Sequence, residues 1–191
     1  MAKRILVILG HPDKGSFCGA LASAYIKGAE ESGAEVKRIN IGDLTFDPNL
    51  RKGYKIDQKL ELDLIKAQGH IKWADHIVWI FPVWWNLYPA IMKGFIDRIF
   101  IPGFAYKFKK GKVLWDRFLT GKSYRLIFTM DNTILLYFLL MSPGSKSLWA
   151  LAKISGIRPV RRTRFGRIRR KPKKKLEQYL NRVKKLGIKQ K

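Results

Sequence analysis

The stretch Ile77-Val78-Trp79-Ile80-Phe81-Pro82-Val83-Trp84-Trp85-Asn86-Leu87-Tyr88-Pro89-Ala90 decides the fold. Its first half is an apolar run of strand length, and Pro82 marks the point where it gives way to a loop. Two adjacent tryptophans, Trp84 and Trp85, occupy that loop, and Pro89 closes it. Behind it, Ala90 to Phe100 carries apolar residues at helical spacing, with Pro89 near the first turn, where a missing N–H costs little. Strand, aromatic loop and helix in succession form the unit of an open α/β sheet, and such sheets bind ligands where loops leave the carboxyl ends of strands. The two indoles fit either half-buried packing or a platform for a flat conjugated ring.

Working outward, the same alternation recurs. Arg4–Leu9 is a near-continuous apolar run, as in a strand buried on both faces. Gly10 to Gly15 is a loop, Ser16 opens a helix that runs to about Ser32, Gly33 ends it, and Glu35–Asn40 is a second strand. A loop over Asp43–Pro48 and an irregular stretch to about Tyr54 precede a helix over Asp57–Trp73. His76–Phe81 is the third strand, Pro89–Phe100 its helix, Ser123–Thr129 the fourth strand and Pro159–Phe165 the fifth. Helices are expected over Ser145–Ile154 and Lys173–Leu186. The basic, aromatic segment from Ile101 to about Gly121 is long for a connection and reads as a lid or interface. Repeated βαβ units with right-handed crossovers predict an α/β doubly wound sandwich: a five-stranded parallel sheet of order 2-1-3-4-5 with helices on both faces. That order places Gly10–Phe17 beside Pro82–Tyr88 as two walls of one crevice.

Composition narrows the functional classes. One domain fits 191 residues, read as 1–170 with a basic C-terminal helix, 171–191, packing on it. A single cysteine, Cys18, permits no internal disulfide and suits a reducing, cytoplasmic setting. The N-terminal apolar run is too short for a signal peptide and reads as a strand. Ile134 to Met141 is apolar but far too short to span a bilayer. The net charge of +25 is concentrated in Arg158–Lys191, where sixteen Lys/Arg face one acid, Glu177. Such an end suits acidic partners, anionic lipid included, or simply reflects a basic background. Nucleic-acid binding is not expected, because Arg161–Lys175 interleaves only one aromatic. His70 and His76 stand apart from any ligand cluster, so no metal site is expected.

The first loop, Gly10-His11-Pro12-Asp13-Lys14-Gly15-Ser16-Phe17-Cys18, matches neither dinucleotide nor P-loop glycine patterns. With Ser16 as N-cap, the amides of Phe17 and Cys18 point into the loop and could take a phosphate, aided by His11 and Lys14; an ordinary capped turn is the alternative. Cys18 reads as packing rather than as a redox group.

Taken together, His11-Pro12, Ser16-Phe17, Asp75-His76-Ile77-Val78, Phe81-Pro82-Val83-Trp84-Trp85, Pro89 to Phe100 and Pro102-Gly103-Phe104-Ala105-Tyr106 resemble the flavodoxin-like NAD(P)H:quinone oxidoreductases, including their short bacterial members. The resemblance runs from about residue 3 to residue 130, and more loosely to Gly166. It implies a bound flavin (FMN favoured, FAD possible), NAD(P)H as co-substrate, hydride reduction of quinone-like acceptors by a ping-pong mechanism, and a homodimer with active sites at the interface. Carried over by position, His11, Ser16, Phe17 and Cys18 would hold the flavin phosphate. Pro82, Val83, Trp84, Trp85 and Asn86 would line the ring, and Thr129, Met130, Asp131 and Asn132 would meet its other edge. Larger members carry glycines where Asp131 and Asn132 stand, and a Tyr/His proton relay of which only Tyr137 has a counterpart here. Some relatives resemble ancillary subunits of potassium-efflux systems, so a regulatory flavoprotein touching a membrane transporter through the basic end is the second reading. A one-electron flavodoxin carrier is the third, and the strong positive charge opposes it.

Overall fold

The computed structural model describes residues 2–55, 58–109, 111 and 114–191. Its main sheet has five parallel strands, β1 (Arg4–Leu9), β2 (Glu35–Asn40), β3 (His76–Pro82), β6 (Ser123–Thr129) and β7 (Val160–Phe165), in the order β2-β1-β3-β6-β7. This is the doubly wound order expected from the alternation. Between β3 and β6 lies a short antiparallel hairpin, β4 (Tyr106–Phe108) with β5 (Trp115–Arg117).

The alternation of side chains along the strands separates two cores. Ile5, Val7 and Leu9 of β1, Val78 and Ile80 of β3, Ile127 of β6 and Phe165 of β7 face α1 (Phe17–Glu31) and α6 (Lys173–Ile188). Leu6 and Ile8, with Trp79, Phe81, Leu126 and Phe128, face α2 (Leu62–Trp73), α3 (Ala90–Ile99) and α5 (Pro143–Ser155). Burial on both faces explains why these strands read as continuous apolar runs. The basic C-terminal helix lies on α1 at close range: a Cβ on Gly28 would sit 2.1 Å from the Lys184 carbonyl oxygen, and one on Gly187 the same distance from that of Tyr25. Glycine at both positions lets the two helices touch backbone to backbone.

Three features differ from the sequence reading. The helix expected from Asp57 begins at Leu62, and residue 57 itself lies outside the described residues. The apolar run after β6 contains a short helix, α4 (Ile134–Leu139), capped by Thr133, whose hydroxyl accepts from the Leu136 amide at 3.1 Å. The segment after α3 is no free lid in its described part. Phe104, Ala105 and Leu119 are buried, and the Trp115 indole N–H donates to the Ile154 carbonyl at 2.8 Å.

Candidate functional site

The loop after β1 is built from its own residues. The Asp13 N–H donates to His11 Nδ1 at 2.9 Å, and the Gly15 N–H to Asp13 Oδ1 at 2.7 Å. Ser16 is the N-cap of α1, accepting from the Gly19 amide at 3.2 Å. A Cβ on Gly19 would fall 2.0 Å from the Lys14 carbonyl oxygen, so only glycine lets the loop wrap this tightly over the helix start. Among the described residues the amides of Phe17 and Cys18 have no acceptor, which leaves two N–H groups at the positive end of the helix. Lys14 is not free to join them, since its Nζ lies 3.2 Å from Asp43 Oδ2.

Cys18 is buried beneath the loop, its Sγ 3.3 Å from Thr129 Oγ1 at the end of β6. Burial pushes its thiol up to about 12, so it stays protonated and packs rather than reacts. This contact joins the first loop to the last residue of a strand two places away in the sheet.

The loop after β3 makes a tight turn. The Trp84 amide donates to the Leu87 carbonyl at 2.8 Å, and the Leu87 amide returns a bond to Trp84 at 2.9 Å. Both central residues are left-handed, Trp85 with φ 47° and Asn86 with φ 67°, as a type I′ turn requires. Asn86 tolerates that conformation and a tryptophan does so at a cost. The strain is held in place from outside the loop: Asn86 Nδ2 donates to the Leu140 carbonyl at 3.0 Å, and the Gly144 amide donates to the Asn86 carbonyl at 3.3 Å. Trp85 is consequently 99% exposed, whereas Trp79 on the strand behind it is wholly buried. Trp84 meets the first loop directly, its ring edge-on to that of His11 with centroids 5.4 Å apart. The two expected walls are therefore in contact.

A cleft of about 660 Å³ opens between the β3 loop and the β6 loop. Val83, Trp84, Trp85, Asn86, Met130 and Asp131 all line it, together with Asn132 and Tyr137. Pro82 and Thr129 do not; both are buried strand ends, and the Thr129 carbonyl accepts from the Val83 amide at 2.7 Å. Tyr137, expected as the counterpart of a relay tyrosine, has a clear structural role. It is almost wholly buried, packs on Phe128 with centroids 5.6 Å apart, and its hydroxyl accepts the Ser145 amide at 3.0 Å. It is an anchor between α4 and α5. Asp131 is likewise engaged, its carboxylate holding both the backbone amide (3.2 Å) and Nε (2.9 Å) of Arg169.

Arg169 and Leu140 complete the lining and escaped the sequence reading. Arg169 lies in a run of basic residues in which no spacing singles out one member. Leu140 could have been found, because Thr133 before an apolar run and Pro143 after it are helix punctuation. On the other side of Trp84 and Trp85 lies a second, mostly apolar cleft of about 910 Å³, bounded by Pro48, Tyr88, Ile91 and Lys93. The paired tryptophans form the ridge between the two.

Fold and site together define an open α/β protein with a cleft between the loops after β3 and β6, whose Trp84 wall touches the loop that carries the free amides. The chain belongs to the family described by the flavodoxin-like fold, whose model matches residues 3–186. It is 30% identical over 154 residues to the ribosyldihydronicotinamide dehydrogenase-like protein traD of Penicillium crustosum, covering 68% of this chain and 58% of that protein. The chain spans about half the length of the curated relatives it matches. Among solved structures, Smu.1420 from Streptococcus mutans is 28% identical with a TM-score of 0.84, over 97% of this chain and 99% of its own. The NAD(P)H:quinone oxidoreductase from Methanothermobacter marburgensis shares the fold at 18% identity and a TM-score of 0.82, each chain covered in full at 100%.

Proposed function

We propose that the protein is a flavin-dependent NAD(P)H oxidoreductase acting on quinones or similar flat acceptors. The observation that carries this reading is the contact of His11 with Trp84. It sets two free helix-start amides and an aromatic-walled cleft side by side, the pair of surfaces a phosphate-tailed ring system needs. The relatives named as nicotinamide dehydrogenases and quinone oxidoreductases point the same way. A bound flavin would supply the two-electron chemistry. The balance is NAD(P)H + H⁺ + quinone → NAD(P)⁺ + hydroquinone.

In this reading the Phe17 and Cys18 amides hold the phosphate, and Ser16 and Gly19 keep those amides aimed. Val83 and Trp84 support the ring, while Asn86, tied to α4 and α5, keeps the turn from collapsing onto it. The Arg169–Asp131 pair closes the far edge. In the cleft Asp131 is paired with Arg169, and the Tyr137 hydroxyl accepts the Ser145 amide while its own O–H remains to donate. Nicotinamide and acceptor occupy the one slot in turn. FMN is the favoured flavin, because the two free amides of the first loop suit one phosphate. A second copy of the chain would cover the exposed Trp85 and the apolar second cleft, giving a dimer with the slot at its interface.

The visible spectrum of the purified protein, reconstituted with FMN if colourless, followed by anaerobic NADPH or NADH, tests this. A yellow protein that bleaches on addition and recolours with benzoquinone is expected. Failure to bind either FMN or FAD overturns the site, and flavin that binds but is not reduced leaves an electron carrier.

A further inference from the structure

The helix α4 presents its apolar side chains to solvent. Of the eight residues Ile134 to Met141 only Tyr137 is buried; Ile134, Leu135, Leu136, Phe138, Leu139, Leu140 and Met141 are all exposed, Leu135 and Leu139 at 69% and 70%. A soluble surface rarely leaves such a cluster uncovered. A basic segment runs along one side of it. The Arg164 guanidinium sits over the Phe138 ring at 4.8 Å. The Arg167 amide donates to the Asn132 carbonyl at 3.1 Å, and a Cβ on Gly166 would stand 3.2 Å from Ile134 Cγ1. The turn over Arg167–Arg170 therefore runs beside the start of α4, with Arg167, Arg169 and Arg170 exposed and Lys173–Lys175 following. Residues 164–175 hold eight Lys/Arg and no acid, and Asp131 beside them is paired with Arg169.

We infer that α4 and its basic collar form a docking surface for an anionic lipid bilayer, into which the exposed leucines, Phe138 and Met141 insert to the depth of the headgroups. Apolar insertion combined with cations at the rim is how short amphipathic elements hold to anionic membranes, each cation adding to the affinity. A second copy seated face to face on α4 would set its own basic collar against this one, whereas the dimer of the proposed function uses Trp85 and the second cleft. The element is six residues long and lies on the membrane; among the described residues no helix is long and apolar enough to cross one.

The placement bears on substrate. Leu140, at the end of α4, is also a wall of the 660 Å³ cleft, so the cleft opens beside the docked face. Resting on the oxidoreductase reading, the acceptor class is then a lipid-dissolved, long-tailed quinone that enters from the membrane side.

Co-sedimentation with vesicles of equal parts phosphatidylcholine and phosphatidylglycerol, against phosphatidylcholine alone, tests the surface without any activity. The protein is expected to pellet with the anionic vesicles at low salt and to be largely released by about 0.5 M salt. Leu135→Glu with Leu139→Glu is expected to weaken partition on the order of 100-fold, and Arg167→Gln with Arg170→Gln about tenfold. Circular dichroism on each variant guards against misfolding, and both changes lie at exposed positions. Wild type that ignores anionic vesicles, or that binds them equally well after both double changes, overturns the inference. So does sedimentation showing that the leucine changes turn a dimer into a monomer while vesicles go unbound, which assigns the face to a second copy. For the substrate, the leucine variant is expected to lose reduction of a long-chain quinone in vesicles while keeping that of a water-soluble quinone. A leucine variant that keeps both activities overturns the substrate class, whereas wild type that binds vesicles yet reduces neither quinone faults the oxidoreductase reading instead.

Discussion

The loops after β1 and β6 end side by side, joined through Cys18 and Thr129, yet they are held by opposite means. The first is shaped by bonds within nine residues: Asp13 to His11, Gly15 to Asp13, Gly19 to Ser16. The second is shaped by residues more than thirty positions away. The Met130 amide donates to the Phe165 carbonyl at 2.9 Å, Ile168 donates to Met130, and Asp131 grips Arg169. A phosphate cradle needs amides fixed to a few tenths of an ångström, and local bonds do that at little entropic cost. On the proposed function the second loop edges an acceptor slot, which needs to be set against the rest of the molecule, and its long-range bonds come from the C-terminal segment.

Changes that break one loop and spare the other would sharpen this contrast. The largest effect is expected from Gly19→Ala. Its methyl meets the backbone of Lys14, not a movable side chain, so the first loop must shift. A loss of about 2–3 kcal/mol of stability and on the order of 100-fold in FMN affinity is expected, read by thermal melts and fluorescence quenching. Acid should next attack the sheet at its opposite end. His76 is buried at the start of β3, its Nδ1 2.7 Å from Ser123 Oγ, and burial, then Lys3, Arg125 and Arg161, lower its pKa to about 3. The folded state keeps it neutral while the unfolded chain protonates it below about 6.5, so this contribution is complete above that pH. It falls by about 1.4 kcal/mol per unit as pH drops toward 3, with His70 shifted in the same direction. Urea melts between pH 7 and 5 should show a decline of about 2 kcal/mol, flattened in His76→Asn relative to that variant's own value at pH 7.

Smaller still is Ser16→Ala. Removing the cap leaves the Gly19 amide without its acceptor, with an expected cost of about 1 kcal/mol and a several-fold weaker hold on FMN. Asp131→Asn closes the series. Asp131 and Arg169 are well exposed, so stability should move by less than about 0.5 kcal/mol, while KM for the acceptor rises with FMN affinity unchanged. A loss of FMN affinity equal to that of Ser16→Ala would erase the distinction between the loops.

The strand order, the loop at Trp84 and Trp85 and the capped first loop were legible because each depends on neighbours in the chain: apolar runs for doubly buried strands, prolines and serines at helix starts. The turn's left-handed residues and the close approach at Gly19 were not. Tyr137 was legible as a position, but its burial and its bond from the Ser145 amide were not, since they are set by the packing of α4 against α5. Arg169 was hidden among like residues. Helix α4 reads as an apolar run in the sequence, and nothing in eight consecutive letters says whether such a run faces a core or the solvent. What the sequence determined by itself is the α/β alternation and the local chemistry of the first loop, because backbone propensity and short hydrogen bonds act over a few residues. Which far residues close the cleft, and that an apolar helix stands outward beside a collar of arginines, only the tertiary structure decided, because those contacts depend on where β7 lies in the sheet.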